Sequence, residues 1–111
     1  MKTNEVLETI KARRSVRAYN RKQIPADDLN AILEAGAYAP NGMHYETWHF
    51  TAVRNTVKLE ELNERIKGAF SKSDDKHLRE RGHSETYCCY YHAPTLVIVS
   101  NEPKQWWAGM D

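Results

Sequence analysis

The hydrophobic pattern at the start of the chain predicts a short amphipathic helix. From Thr3 or Asn4 to about Ala12, apolar side chains recur at helical spacing, and either polar residue can cap the first turn. The apolar face of this helix consists of Val6, Leu7 and Ile10. Residues 13–23 are polar and lack this periodicity, which predicts an extended or loop segment.

A second helix is predicted from residues 24–25 to residues 39–40. Pro25 suits the first turn of a helix, and Asp27 and Asp28 complement the positive end of its dipole. Its predicted inward face consists of Leu29, Ile32, Leu33, Gly36 and Ala37. Residues 40–42 have the turn-forming sequence Pro-Asn-Gly, so the helix is expected to end near residues 39–40.

The middle of the chain predicts a strand followed by a helix and a charged stretch. Residues 48–54 are rich in β-forming side chains, which favours a strand. Thr56 is the expected cap of the next helix, whose inward face consists of Leu59, Leu62, Ile66 and Phe70. Residues 71–83 are so highly charged that we interpret them as a solvated helix or a lid-like excursion.

The last predicted elements are a short helix and a buried strand. Residues 84–92 carry the cysteines and several tyrosines, and we expect a helix that Ala93 and Pro94 bring to an end. Residues 95–100 are almost continuously apolar, which is typical of a fully buried central strand.

The order helix, helix, strand, helix, helix, strand predicts an α+β domain with helices packed on a small mixed sheet. A length of 111 residues corresponds to one domain. Two strands are few for a sheet with its own core, and Trp106, Trp107 and Met110 are large apolar side chains that need a partner surface. We therefore expect residues 1–111 to be a single, truncated domain whose missing surface comes from another copy or from further chain.

Composition excludes several classes of protein. The chain is 41% hydrophobic and 28% charged, and its formal net charge of +1 argues against a general nucleic-acid binder. The longest apolar run, residues 96–99, is too short to cross a bilayer, and the start of the chain has no apolar stretch typical of a signal peptide. We expect a cytoplasmic protein with neither membrane nor nucleic-acid partners. The adjacent Cys88 and Cys89 favour two reduced, partly buried thiols, with a vicinal redox pair as the alternative.

The strongest chemical signal is a basic segment followed by a polar loop. Arg13, Arg14, Ser15 and Arg17 lie within five residues, and guanidinium groups bind phosphate oxygens bidentately. Residues 39–48 are rich in turn formers and hydrogen-bonding side chains that can meet the edge of a planar ring. Together the two segments suit a ligand with a phosphate at one end and a polar planar ring at the other.

These residues resemble the N-terminal part of the nitroreductase superfamily of FMN-dependent enzymes. The resemblance is carried by the basic segment with its following Tyr19, by the helix from residues 24–25 to 39–40, by the loop ending at residues 48–50, and by the strand after Pro94. It covers best residues 10–54 and 92–100. It implies a nitroreductase-like α+β fold, an intertwined homodimer, and two flavin sites at the subunit interface.

The resemblance also implies which residues hold the cofactor. In the family the basic segment contacts the phosphate, ribityl chain and pyrimidine edge of FMN, and the loop after the second helix approaches the isoalloxazine ring. The implied cofactor-binding residues here are Arg13, Arg14, Ser15, Arg17, Pro40, Asn41, Gly42, Met43 and His44. The family loop commonly has Pro-Ser-x-x-Asn-x-Gln-Pro-Trp, from which this chain departs at Asn41, His44, Glu46 and Thr47.

The implied activity is that of an NAD(P)H oxidoreductase in which the flavin does the chemistry and no side chain is catalytic. NADH or NADPH reduces the flavin, leaves, and is replaced by a nitroaromatic, a quinone or a similar flat acceptor, in a ping-pong sequence of hydride transfer. The alternative within the family is a non-catalytic remnant that binds flavin or dimerises.

Two alternatives from other classes remain at this point. A metal site could draw on the cysteines and on His44, His49, His77, His83 and His92, although their spacing matches no compact zinc pattern. A small partner-binding module could use the basic surface formed by Arg13, Arg14, Arg17 and Arg21.

Overall fold

A computed structural model describes residues 2–40 and 48–101 of the chain. In chain order its elements are α1 (Glu5–Ala12), α2 (Ala26–Ala37), β1 (Trp48–Val53), α3 (Thr56–Ser71), α4 (Lys76–His83) and β2 (Leu96–Asn101). The two strands pair with each other, and α3 packs against α4. The predicted α+β class with helices and a small sheet is confirmed.

Helix α1 begins where the sequence predicts. The Asn4 side chain accepts a hydrogen bond from the backbone N–H of Leu7 at 2.9 Å, and the helix ends as Arg13 turns to extended backbone. The predicted apolar face forms, but no residue of α1 is buried, and Val6 and Ile10 are 67% and 65% exposed. The chain described here therefore leaves this face uncovered.

Helix α2 follows Pro25, whose φ of −59° and ψ of 150° lead into the first turn. Of its predicted inward face, Leu29 is buried, while Ile32 is largely exposed. The close approach of α2 to the sheet occurs at Gly36. A Cβ on Gly36 would lie 3.1 Å from the Phe50 ring, so the absence of a side chain lets this ring reach the helix.

The sheet is an antiparallel pair in which Trp48 lies opposite Asn101 and Val53 opposite Leu96. The mixed sheet that we expected is not formed by these strands, because α3 and α4 return the chain to the end at which β1 stopped. The prediction of a fully buried β2 is also wrong for this chain: Val99 is 59% exposed. No described element covers that half of the strand.

Helix α3 supplies the best-buried residue of the described chain. Its cap is Asn55, whose side chain accepts from the N–H of Lys58, and the predicted cap Thr56 is instead the first helical residue. Asparagine and threonine can both cap a helix, and Asn55 is the residue that has the extended backbone of a cap. The predicted inward face is confirmed, with Leu59 only 1% exposed and the rest of the face half-buried: Leu62, Ile66 and Phe70.

The charged stretch forms α4, as the solvated-helix interpretation predicts. The Asp75 carboxylate accepts hydrogen bonds from the backbone N–H groups of His77 and Leu78. Most of the α4 side chains are exposed. The contact with α3 is made at Gly82, where an added Cβ would lie 2.3 Å from the Ser71 nitrogen and 2.7 Å from the Lys67 oxygen.

Two glycines offer a matched test of this packing. Replacing Gly82 with alanine should lower the free energy of unfolding by about 2 kcal/mol, because the new methyl group meets backbone atoms that cannot move aside. Replacing Gly68 with alanine should raise it by roughly 0.5–1 kcal/mol, because nothing lies within 4 Å of that Cβ and alanine favours helix. Urea unfolding measures both changes; equal effects would contradict the packing.

The predicted helix over residues 84–92 does not form. Tyr91 and His92 have φ values of 54° and 57°, in the left-handed region that interrupts a right-handed helix. The backbone is held from α3 instead: the Asn63 side chain donates to the Tyr87 oxygen at 3.2 Å and accepts from the Cys89 nitrogen at 2.9 Å.

Candidate functional site

Residues 13–23, which include the basic segment of residues 13–17, form a stretch of open extended chain between α1 and α2. Arg13, Arg14, Ser15 and Arg17 are all exposed, as the aperiodic pattern of residues 13–23 predicts. Among residues 2–40 and 48–101, none of these side chains makes a hydrogen bond or an ion pair. Their donors are therefore available to an external anion.

Short-range hydrogen bonds shape this segment internally. The Tyr19 hydroxyl donates to the Val16 carbonyl at 2.8 Å, which closes a small loop around Arg17. Farther along, the Lys22 backbone N–H donates to the Asn20 side chain at 2.9 Å. The segment thus has local turns without belonging to a helix or a strand.

Residue Gln23 attaches the end of this segment to the sheet. Its side-chain Nε2 donates to the Pro94 oxygen at 2.8 Å, and its Oε1 accepts from the Thr95 hydroxyl. In return, the Arg54 guanidinium donates to the Ile24 oxygen at 2.6 Å. Sequence reasoning missed these contacts, because the partners lie 30 to 72 residues apart and no local pattern marks them.

Pro40 is the one residue of the predicted ring-binding loop that the structure describes. It lines a groove of about 190 Å³ together with Gly36, Trp48, Phe50 and Val99. The Trp48 and Phe50 rings meet edge to face, with centroids 6.4 Å apart, so the groove has an aromatic wall. The remaining predicted residues of this loop lie outside the described residues: Asn41, Gly42, Met43 and His44.

The structure does not join the two predicted halves of the site by direct contact. In the described part of the chain, no hydrogen bond or ion pair connects the basic segment with Pro40. A second, larger cavity of about 390 Å³ adjoins the segment at Tyr19 and is also lined by Ile24, Leu29 and Cys89.

Cys89 and Tyr90 line that cavity, and the buried Cys88 is their neighbour in the chain. Both thiols are free, and burial raises the pKa of Cys89, with the neighbouring Cys88 adding to the shift. Burial also raises the pKa of Tyr90, and Cys88 contributes again. Because a raised pKa keeps the thiol protonated at neutral pH, Cys89 is a weak nucleophile.

The described ranges, 2–40 and 48–101, contain neither a candidate metal site nor a candidate membrane-spanning helix. In these ranges, no group of three or more histidine, cysteine, aspartate or glutamate side chains is arranged so that it could hold a metal ion. None of the helices in these ranges has both the length and the apolar character that a bilayer crossing requires.

Comparison with known proteins places the chain in a family. The family model described as "Nitroreductase family" matches residues 10–111, which includes the basic segment and everything after it. A putative NADH dehydrogenase/NAD(P)H nitroreductase of Methanothermobacter thermautotrophicus is 40% identical over 60 residues, which cover 54% of this chain and 31% of that protein. A similar protein of Archaeoglobus fulgidus is 38% identical over 60 residues, covering 54% of this chain and 34% of its own length.

Solved structures agree in fold over almost the whole chain. A nitroreductase of Bacteroides fragilis, crystallised with bound FMN, is 96% identical over 97% of this chain, with a TM-score of 0.94. An FMN-bound nitroreductase of Desulfitobacterium hafniense is 26% identical over 96% of the chain, with a TM-score of 0.84. The chain spans 58% and 57% of the lengths of these two proteins. The chain therefore belongs to the nitroreductase family.

Proposed function

We propose that the protein is an FMN-dependent NAD(P)H oxidoreductase of the nitroreductase type. The observation that carries this proposal is the 96% identity, over 97% of the chain, with a nitroreductase whose crystal structure contains FMN. The names of the archaeal relatives support NADH or NADPH as the reductant. Nitroaromatics, quinones or similar flat molecules are the proposed acceptors, and the proposed assembly is a cytoplasmic homodimer.

The donor chemistry of the basic segment fits FMN. The cofactor ends in a phosphate, and Arg13, Arg14 and Arg17 present exposed guanidinium donors that no described residue neutralises. Ser15 adds a hydroxyl that can donate to phosphate or ribityl oxygens.

The loop that begins at Pro40 supplies the proposed contacts to the flavin ring. Pro40 lines the groove together with Trp48 and Phe50, and residues 41–44 follow it in the sequence. When bound, FMN supplies the hydride chemistry between NAD(P)H and the acceptor. The roles of the chain are then to bind the phosphate, orient the ring and provide positive charge, and none of its side chains is proposed as an acid, base or nucleophile.

Purification from cells tests the proposal. The protein should be yellow, with flavin absorbance that is released on denaturation and that bleaches when NADH or NADPH is added in the absence of oxygen. A colourless protein that takes up no added FMN would contradict the proposal. A yellow protein that neither nicotinamide reduces would favour the non-catalytic flavin-binding alternative.

A further inference from the structure

Residues 13–22, which include the basic segment, have few polar attachments to the remainder of the molecule. Within residues 2–40 and 48–101, the hydrogen bonds of residues 13–22 stay inside the segment, from Tyr19 to Val16 and from Lys22 to Asn20. All side chains of residues 13–22 are exposed. The direction of this segment is therefore set by whatever fixes its two ends.

The end that meets the sheet is fixed by Gln23. Its amide donates to the Pro94 oxygen at 2.8 Å and to the Arg54 oxygen at 3.4 Å, and its side-chain oxygen accepts from Thr95. Arg54 follows β1 and Thr95 precedes β2, at the end of the sheet where Val53 pairs with Leu96. One glutamine side chain thus links the residue that follows β1 to the residues that precede β2.

A second bond strengthens the same junction. The Arg54 guanidinium donates to the backbone oxygen of Ile24 at 2.6 Å, so the chain is held on both sides of the bond between residues 23 and 24. The contacts of Gln23 with Pro94 and Thr95 are partly buried, which limits competition from water. The opposite end, at Arg13, has only the short, unburied helix α1 behind it.

We propose that Gln23 is a positioning residue for the phosphate-binding segment: its link to the residues that follow β1 and precede β2 holds residues 13–17 where their guanidinium groups can meet the phosphate. This inference rests on the proposed function, because it concerns FMN binding. Ordering a free backbone costs conformational entropy, so a segment that is already tethered binds its anion more tightly than a loose one.

The test compares FMN with riboflavin, which lacks the phosphate. Gln23→Met keeps the length and apolar stem of the side chain but removes all of its hydrogen bonds. In titrations of the FMN-free protein, the variant should bind FMN about tenfold more weakly. Riboflavin binding should weaken less, so the preference for FMN over riboflavin falls.

A control variant separates positioning from a general loss of stability. Asn55→Ala removes the cap of α3, and the Asn55 side chain makes no hydrogen bond with residues 13–23. It should leave the preference for FMN unchanged. An unchanged preference in Gln23→Met would overturn the inference, whereas a wild-type protein that binds no FMN would overturn the proposed function itself.

The rate of limited proteolysis is a second measurement of the positioning role, and it needs no cofactor. The segment offers trypsin several cleavage sites, at Arg13, Arg14, Arg17, Arg21 and Lys22. Under conditions in which both proteins remain folded, FMN-free Gln23→Met should be cut within residues 13–22 several-fold faster than wild type. Asn55→Ala should be cut there at the wild-type rate. Equal cleavage of Gln23→Met and wild type would contradict the positioning role.

Discussion

Replacing both Arg13 and Arg17 with alanine is expected to weaken FMN binding at least a hundredfold. A hydrogen bond to a charged group contributes about 1.5–3 kcal/mol, so the loss of two such contacts amounts to roughly 3 kcal/mol or more. Both side chains are exposed and unpaired among the described residues, so their removal costs the fold itself little. Fluorescence titration of the FMN-free protein measures the change.

A charge-matched control shows whether the loss of FMN binding is specific to the basic segment. Arg65 and Lys72 are exposed cations on α3 and at its end, and replacing both with alanine removes the same formal charge from the protein. That variant should bind FMN within about twofold of wild type, because solvent and salt screen exposed charges that do not contact the ligand. Equal losses in the two double variants would mean that net charge, rather than the basic segment, attracts the cofactor.

Replacing Leu59 with alanine is expected to lower the free energy of unfolding by about 3 kcal/mol. Leu59 is 1% exposed, and its truncation removes buried methyl groups and leaves a cavity, the combination that makes such changes costly. Val57→Ala in the same helix is the control: Val57 is 60% exposed and should change stability by less than about 0.5 kcal/mol. Urea unfolding followed by circular dichroism measures both, and similar losses would contradict the assigned burial.

The sequence was most informative where a local rule decides the structure. Asn4 caps α1, Pro25 precedes α2 and Leu59 anchors α3, because capping, backbone restriction and apolar periodicity each act within a few residues. The exposed, extended basic segment was predicted for the same reason. Its polar residues have no period and therefore no buried face.

The sequence was least informative where the deciding partner is distant. The sequence pattern predicted a helix over residues 84–92, yet Asn63 of α3 holds them as a turn in which Tyr91 and His92 lie in the left-handed region. The linking role of Gln23 depends on Pro94 and Thr95, about 70 positions away. Neither arrangement can be recognised from neighbouring residues, since each one arises only after the strands and α3 have packed.

The candidate site shows the same division. Its proposed phosphate-binding half lies on one continuous segment, from Arg13 to Arg17, and the sequence predicted the exposed, extended backbone of that segment. The half beside Pro40 is formed by α2 and both strands together, so its aromatic wall of Trp48 and Phe50 appears only in three dimensions. Trp48 therefore belongs to β1 and also forms part of the wall of this groove.

The most direct test of the central proposal is a crystal structure of the protein with FMN bound. Nitrogen atoms of Arg13, Arg14 or Arg17 should lie about 2.7–3.2 Å from phosphate oxygens, within hydrogen-bonding distance. A phosphate bound elsewhere, with these guanidinium groups turned to solvent, would contradict the account.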